Sequence, residues 1–122
     1  MKTLYRIAER AHWQQAQQTG FFASPDLQAE GFIHTSERHQ VLETANRYYR
    51  ARPDVLLLVL DEAALAAAGL VVRREWAADR GQHFAHVFGP IPLAAVQRVL
   101  DFPPTASGLF ELPEALPEAA DD

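Results

Sequence analysis

Val55-Leu56-Leu57-Leu58-Val59-Leu60 is the longest run of large aliphatic residues in the chain. It is far short of the ~18 residues that a membrane span requires. An unbroken apolar run of this length, set between Pro53-Asp54 and Asp61, is the pattern of a central strand covered on both faces. Before it, Val41, Leu42, Ala45, Tyr48 and Tyr49 recur at helical spacing, which predicts a helix with one buried face, and Pro53 ends that element. After it, residues 61–68 form a short Ala-rich helix that Gly69 stops. Residues 70–76 read as a strand with a polar second half, and residues 77–82 as a turn. Residues 83–88 are a short extended segment broken by Gly89-Pro90 and Pro92, and residues 96–102 are the last strand.

Toward the N-terminus, residues 31–35 are a second strand, with Ser36 as the expected cap of the following helix and Glu37 in its first turn. Residues 21–30, with Ser24-Pro25-Asp26, read as a loop. Residues 9–19 carry helix formers and end at Gly20. Residues 3–7 alternate as a first strand. The expected fold is α+β: a single small domain over residues 1–102, with about six strands in a split or mixed sheet and two main helices. Beyond Pro103-Pro104 the composition turns to Pro, Ala and acid, which predicts an arm or disordered tail over residues 103–122 with little to bury after Leu112. Leu109, Phe110 and Leu112 are its candidate anchors.

The chain has 122 residues, 48% apolar and 22% charged, as expected of one globular domain. It contains no cysteine, which excludes disulfides, thiolate catalysis and Cys-ligated zinc and makes a cytoplasmic home the default expectation. The N-terminal Met-Lys-Thr-Leu-Tyr-Arg has no signal-peptide pattern. The net charge of −5 comes from Glu111, Glu114, Glu118, Asp121 and Asp122, so residues 1–110 are neutral. No basic excess points to duplex nucleic acid, and no segment points to a membrane.

Four groups of residues could carry chemistry. His34 lies at the end of the second strand, with Phe32 on its face and Ile33 and Thr35 on the other. With Thr35 and Ser36 beside a helix start, it could hold an anion; it could equally be a core histidine. Glu75 in Arg73-Arg74-Glu75-Trp76 could be a general base or ribose-hydroxyl partner, or one charge on a solvated edge strand. His83 and His86, three apart in an extended segment, point to opposite faces, so no metal site is expected. Arg6 faces opposite to Tyr5 and is an anion clamp if its face is an open cleft. There is no glycine-rich phosphate loop and no nucleophile elbow.

These motifs, in order, carry a resemblance. Tyr5-Arg6-Ile7, Trp13, Gly20, Gly31-Phe-Ile-His-Thr-Ser36 followed by Gln40, Arg74-Glu-Trp76 and Phe84-Ala-His-Val-Phe-Gly-Pro-Ile91 resemble the DUF952 family of small bacterial proteins over about residues 3–102. Ala85 and Phe88 depart from the family's usual Pro and Tyr. The resemblance implies an ADP-ribosyltransferase-like fold, in which two small sheets form a cleft. It implies Glu75 and His34 as catalytic residues, and Arg6, Thr35, Ser36 and His86 as ligand contacts. The implied ligand is nucleotide-like; no resident cofactor is expected, and NAD would enter as substrate. The alternative is a non-catalytic module for a nucleotide or phosphorylated ligand. His34, Ser36, Glu75 and His86 are expected to line one cleft.

Overall fold

The computed structural model describes residues 2–116. Residues 55–60 form the centre of a three-stranded antiparallel sheet. Strand β4 (Val55–Asp61) lies between β1 (Thr3–Glu9) and β8 (Val96–Asp101), and all six of its apolar residues are buried. Alternation divides them between two cores. Leu58 and Leu60 join Leu4 and Ala8 of β1 on one face, and Val55, Leu57 and Val59 join Tyr5 and Ile7 on the other.

A second three-stranded sheet, also antiparallel, has the order β3 (Ile33–His34), β6 (Gln82–Phe88), β5 (Val71–Ala77). Its inner face gives Ile33, Ala85 and Val87 to the first core. The remaining pair is β2 (Phe21–Phe22) with β7 (Ile91–Pro92). The fold is thus α+β as expected, with eight strands among the described residues in three small antiparallel sheets, where about six in a split or mixed sheet were expected. The two extra strands have two residues each, too few to show a period.

The helices are α1 (Arg10–Thr19), α2 (Pro25–Glu30), α3 (Val41–Tyr48) and α4 (Glu62–Ala67). Gly20 ends α1 in the left-handed conformation, with φ 89°, and its N–H donates to the Ala16 carbonyl. The expected loop at 21–30 contains α2, for which Pro25 supplies the first-turn position where a missing N–H costs nothing.

Ser36 does not cap a helix. Its backbone N–H and carbonyl pair with Tyr5, at 2.8 Å each way, and this bridge ties the second sheet to β1. The cap is Glu37. Its carboxylate and the Gln40 side chain satisfy each other's backbone N–H groups around a 3₁₀ turn at Arg38–Gln40. A carboxylate occupies that turn, so it offers no anion site. Buried Gln40 also donates to the His83 carbonyl at 2.8 Å and to Gln82 at 3.0 Å, fixing the β5–β6 hairpin to the start of α3.

The arm is not loose over its described part. Phe110 and Leu116 are buried in the second core beside Phe102. Phe110 is one of the candidate anchors; Leu116 corrects the expectation of little to bury after Leu112, since it joins Phe110 in the core that α3 and β4 share. Residues 117–122 lie outside the described part.

Gly89 joins β6 to β7 with φ 150°, and a Cβ built there would come within 2.6 Å of the Leu70 side chain. Gly89→Ala should destabilise the protein by about 1–3 kcal/mol, read as a lower urea midpoint with unchanged slope. A midpoint equal to wild type would show that Leu70 moves aside freely.

Candidate functional site: a cleft with two carboxylate-held histidines

Period-2 geometry sends Phe32, His34, His86, Phe84, Arg73 and Glu75 to the face of the second sheet opposite its core. His34 and Arg73 both stand beside His86 in register, and Glu75 stands beside Phe84. This face, β1, α2 and α3 enclose a cleft of about 720 Å³. That is the size of a small-ligand site.

His34 is held by Asp26, in the first turn of α2. One Asp26 oxygen accepts from the His34 backbone N–H at 2.9 Å, from its Nδ1 at 2.9 Å, and from Arg6 Nη1 at 2.7 Å. The other accepts from Ser24 Oγ and the Leu27 N–H. Burial alone would raise the Asp26 pKa. The hydrogen bonds from His34, the Arg6 charge and the Ser24 hydroxyl outweigh it and hold the carboxyl well below the usual range. An ionised Asp26 only accepts, so Nδ1 of His34 carries the proton and Nε2 is left for the cleft. The nearest carboxylate to Nε2 is Glu30, at 3.8 Å, beyond hydrogen-bond reach.

His86 repeats the arrangement on the neighbouring strand. Its Nδ1 lies 2.8 Å from Glu75 Oε1, which again leaves Nε2. The two imidazole centroids are 5.1 Å apart at 74°. Phe32 stacks on His86 at 4.0 Å and meets His34 edge-on at 4.9 Å, fixing both ring planes.

The far wall is aromatic and braced by arginine. The Arg80 guanidinium lies 4.5 Å from the Phe84 ring centroid and is bound by Glu43 and Thr44. Tyr48 and Tyr49 complete that wall, and burial pushes the Tyr49 phenol up.

His34, His86, Arg6, Thr35 and Ser36 all line the cleft. Glu75 does not; it reaches the cleft only through His86. Arg6 is no free clamp, since its guanidinium is spent on Asp26 and the His34 carbonyl. The Thr35 hydroxyl donates to the Ala85 carbonyl at 2.7 Å, a strand-to-strand tie. His83 lies on the other face against Trp76. No group of metal-ligating residues occurs among the described residues. Sequence reading missed Asp26 and Arg80. Pro25 could have signalled a helix at 25–30, but nothing local shows that Asp26 reaches β3.

The family model described as a protein of unknown function, DUF952, matches residues 7–99. The chain belongs to the DUF952 family. Among solved structures this DUF952 protein is similar to CC0527 from Caulobacter crescentus. The crystal structure shares 31% identity over 90% of this chain and 94% of that one, with a TM-score of 0.80. The solution structure shares 31% over 95% and 97%, with a TM-score of 0.75. Comparison with curated proteins gives no match. No helix among the described residues of this DUF952 protein is long and apolar enough to cross a membrane.

Proposed function

We propose that this DUF952 protein binds a nucleotide-like ligand in the cleft, with His34 and His86 as the polar groups that touch it. The observation that carries this reading is the pair of carboxylate-held imidazoles at the head of an aromatic-walled cleft. Exposed Tyr48 offers a face for a base, and the Ser36 and Thr44 hydroxyls line the same space. Arg6 and Thr35 support the walls. An ADP-ribosyl transfer from NAD would need a carboxylate at the ribose. Glu75 fills that role only by giving up Nδ1 of His86, so binding is the better-supported reading.

Calorimetric titration with AMP, ADP and NAD tests it. Wild type should bind at least one of them. His34→Ala should lose tenfold or more in affinity, by about 1.4 kcal/mol or more. Its melting curve should change little, because the His34 side chain is 46% exposed and Asp26 keeps Arg6, Ser24 and Leu27 as donors. Absence of binding to all three would end this reading. Release of nicotinamide from NAD, lost in Glu75→Gln, would restore the transferase.

A further inference from the structure

We propose that His34 and His86 are a general acid–base pair that hydrolyses a phosphodiester bond in the nucleotide-like ligand. This rests on the reading of the cleft as a nucleotide site. A binding site needs hydrogen-bond donors and acceptors, but it does not need two imidazoles that each have a carboxylate at Nδ1. Each Nδ1 is engaged, by Asp26 at 2.9 Å and by Glu75 at 2.8 Å, and the rings stand 5.1 Å apart with Phe32 fixing both planes. Neither Nε2 has a hydrogen-bond partner among the described residues. Two orientated imidazoles of this kind can move two protons in one step, one off an attacking water and one onto a leaving oxygen.

Charge selects the bond. The arginines that line the cleft are each on a carboxylate: Arg6 on Asp26, Arg52 on Asp54 and Glu9, Arg80 on Glu43. A polyanionic phosphate finds little unmatched positive charge there. Arg73 is different. It does not line the cleft itself; it stands exposed beside His86 in register, packs on Phe88 at 5.3 Å and has no ion pair among the described residues. One such guanidinium matches the single negative charge of a diester.

In the reaction, the oxygen of water bonds to phosphorus while the bond from phosphorus to the ribose oxygen breaks. One neutral Nε2 takes the proton that water loses, and the other Nε2–H gives its proton to the ribose oxygen. Diester and water become a monoester and a free ribose hydroxyl, which in a cyclic diester stays on the same nucleotide. The imidazoles end with their proton states exchanged and reset through solvent. Around the pair, His34 faces Asp26 and Glu30 of α2 and Arg6 of β1, while His86 faces Glu75 and Arg73 of β5. Glu75 and Asp26 are positioning residues.

The probe is adenosine 2′,3′-cyclic phosphate, followed by phosphorus NMR from about pH 5 to about pH 9, with calorimetric binding in parallel. Wild type should form the monophosphate with a bell-shaped pH profile. His34→Ala and His86→Ala should each lower kcat/KM by about 10²–10⁴-fold. Added imidazole should restore part of the His34→Ala rate, because that site opens to solvent. Glu75→Gln should lower kcat and displace one limb of the profile with KM unchanged, and Arg73→Met should raise KM. His86→Asn, checked by circular dichroism, stands in if His86→Ala unfolds. Nucleotide binding without a monophosphate product at any pH overturns the chemistry and leaves the cleft reading standing. Equal rates in wild type and both histidine variants overturn it too. No binding of any nucleotide removes both.

Discussion

Asp26→Ala should cost about 3–5 kcal/mol of folding stability, because it strands a guanidinium that has almost no water. The Arg6 and Asp26 side chains are only 11% and 13% exposed, at 2.7 Å from each other, and Arg6 Nε already lacks a partner. Removing the carboxylate leaves Arg6 with the His34 carbonyl as acceptor and the Phe22 ring at 5.7 Å, and with no counter-charge at 2.7 Å. Urea unfolding reads the loss. Adding Arg6→Met to the variant should recover part of it, since an apolar side chain has no charge to leave unpaired. A loss that the second substitution deepens would show that the ion pair is not the cause.

The same contacts make wild type acid-sensitive with a defined sign. The native Asp26 carboxyl lies below its unfolded value of about 3.9. The stability it contributes is therefore fully present above the unfolded pKa and falls away as pH drops through the native one. The gap between wild type and Asp26→Ala should be constant near neutrality and should narrow below about pH 4. A gap that widens in acid would contradict the assignment.

Phe110→Ala should be as damaging, at about 3–5 kcal/mol. The ring is 3% exposed and meets Phe102 at 4.8 Å, and the Phe110 N–H donates to Asn46 Oδ1 at 2.7 Å. The substitution leaves a cavity among Phe102, Leu116 and the α3 and β4 side chains of the second core. Thermal melting should fall by roughly 10–20 °C. A fall of one or two degrees would mean that the arm lies on the surface and is not part of the core.

The central strand was legible because six consecutive apolar residues leave little else for residues 55–60 to be. The face shared by Phe32 and His34 followed from strand alternation, and so did the opposition of His83 and His86. Phe110 stood out as a candidate anchor of the arm, but Leu116 did not, because a composition average hides a single apolar residue among prolines and acids. Strands of two residues have no periodicity to read. Asp26 was illegible for a deeper reason. Its partners are eight and twenty positions away, and only the packing of α2 against β1 and β3 brings the three together. Glu75 stood out in the sequence, but its partner could be known only from the register of β5 on β6.

The register of the second sheet also sets when the site comes into being during synthesis. The Thr35 hydroxyl meets a carbonyl 50 positions later, and Gln40 reaches 42 and 43 positions ahead. Pairing over such distances is slow, because loop closure precedes any reward from contact. A growing chain that has made β3 but not β6 carries Phe22 and Ile33 before Ala85, Val87 and Ile91 of their core exist, a state open to chaperones and to aggregation. His34 waits through the translation of about forty percent of the protein before its partner ring exists. No N-terminal fragment that stops short of β6 can hold the cleft, so a ligand of the kind proposed would bind only the finished fold and stabilise it by mass action.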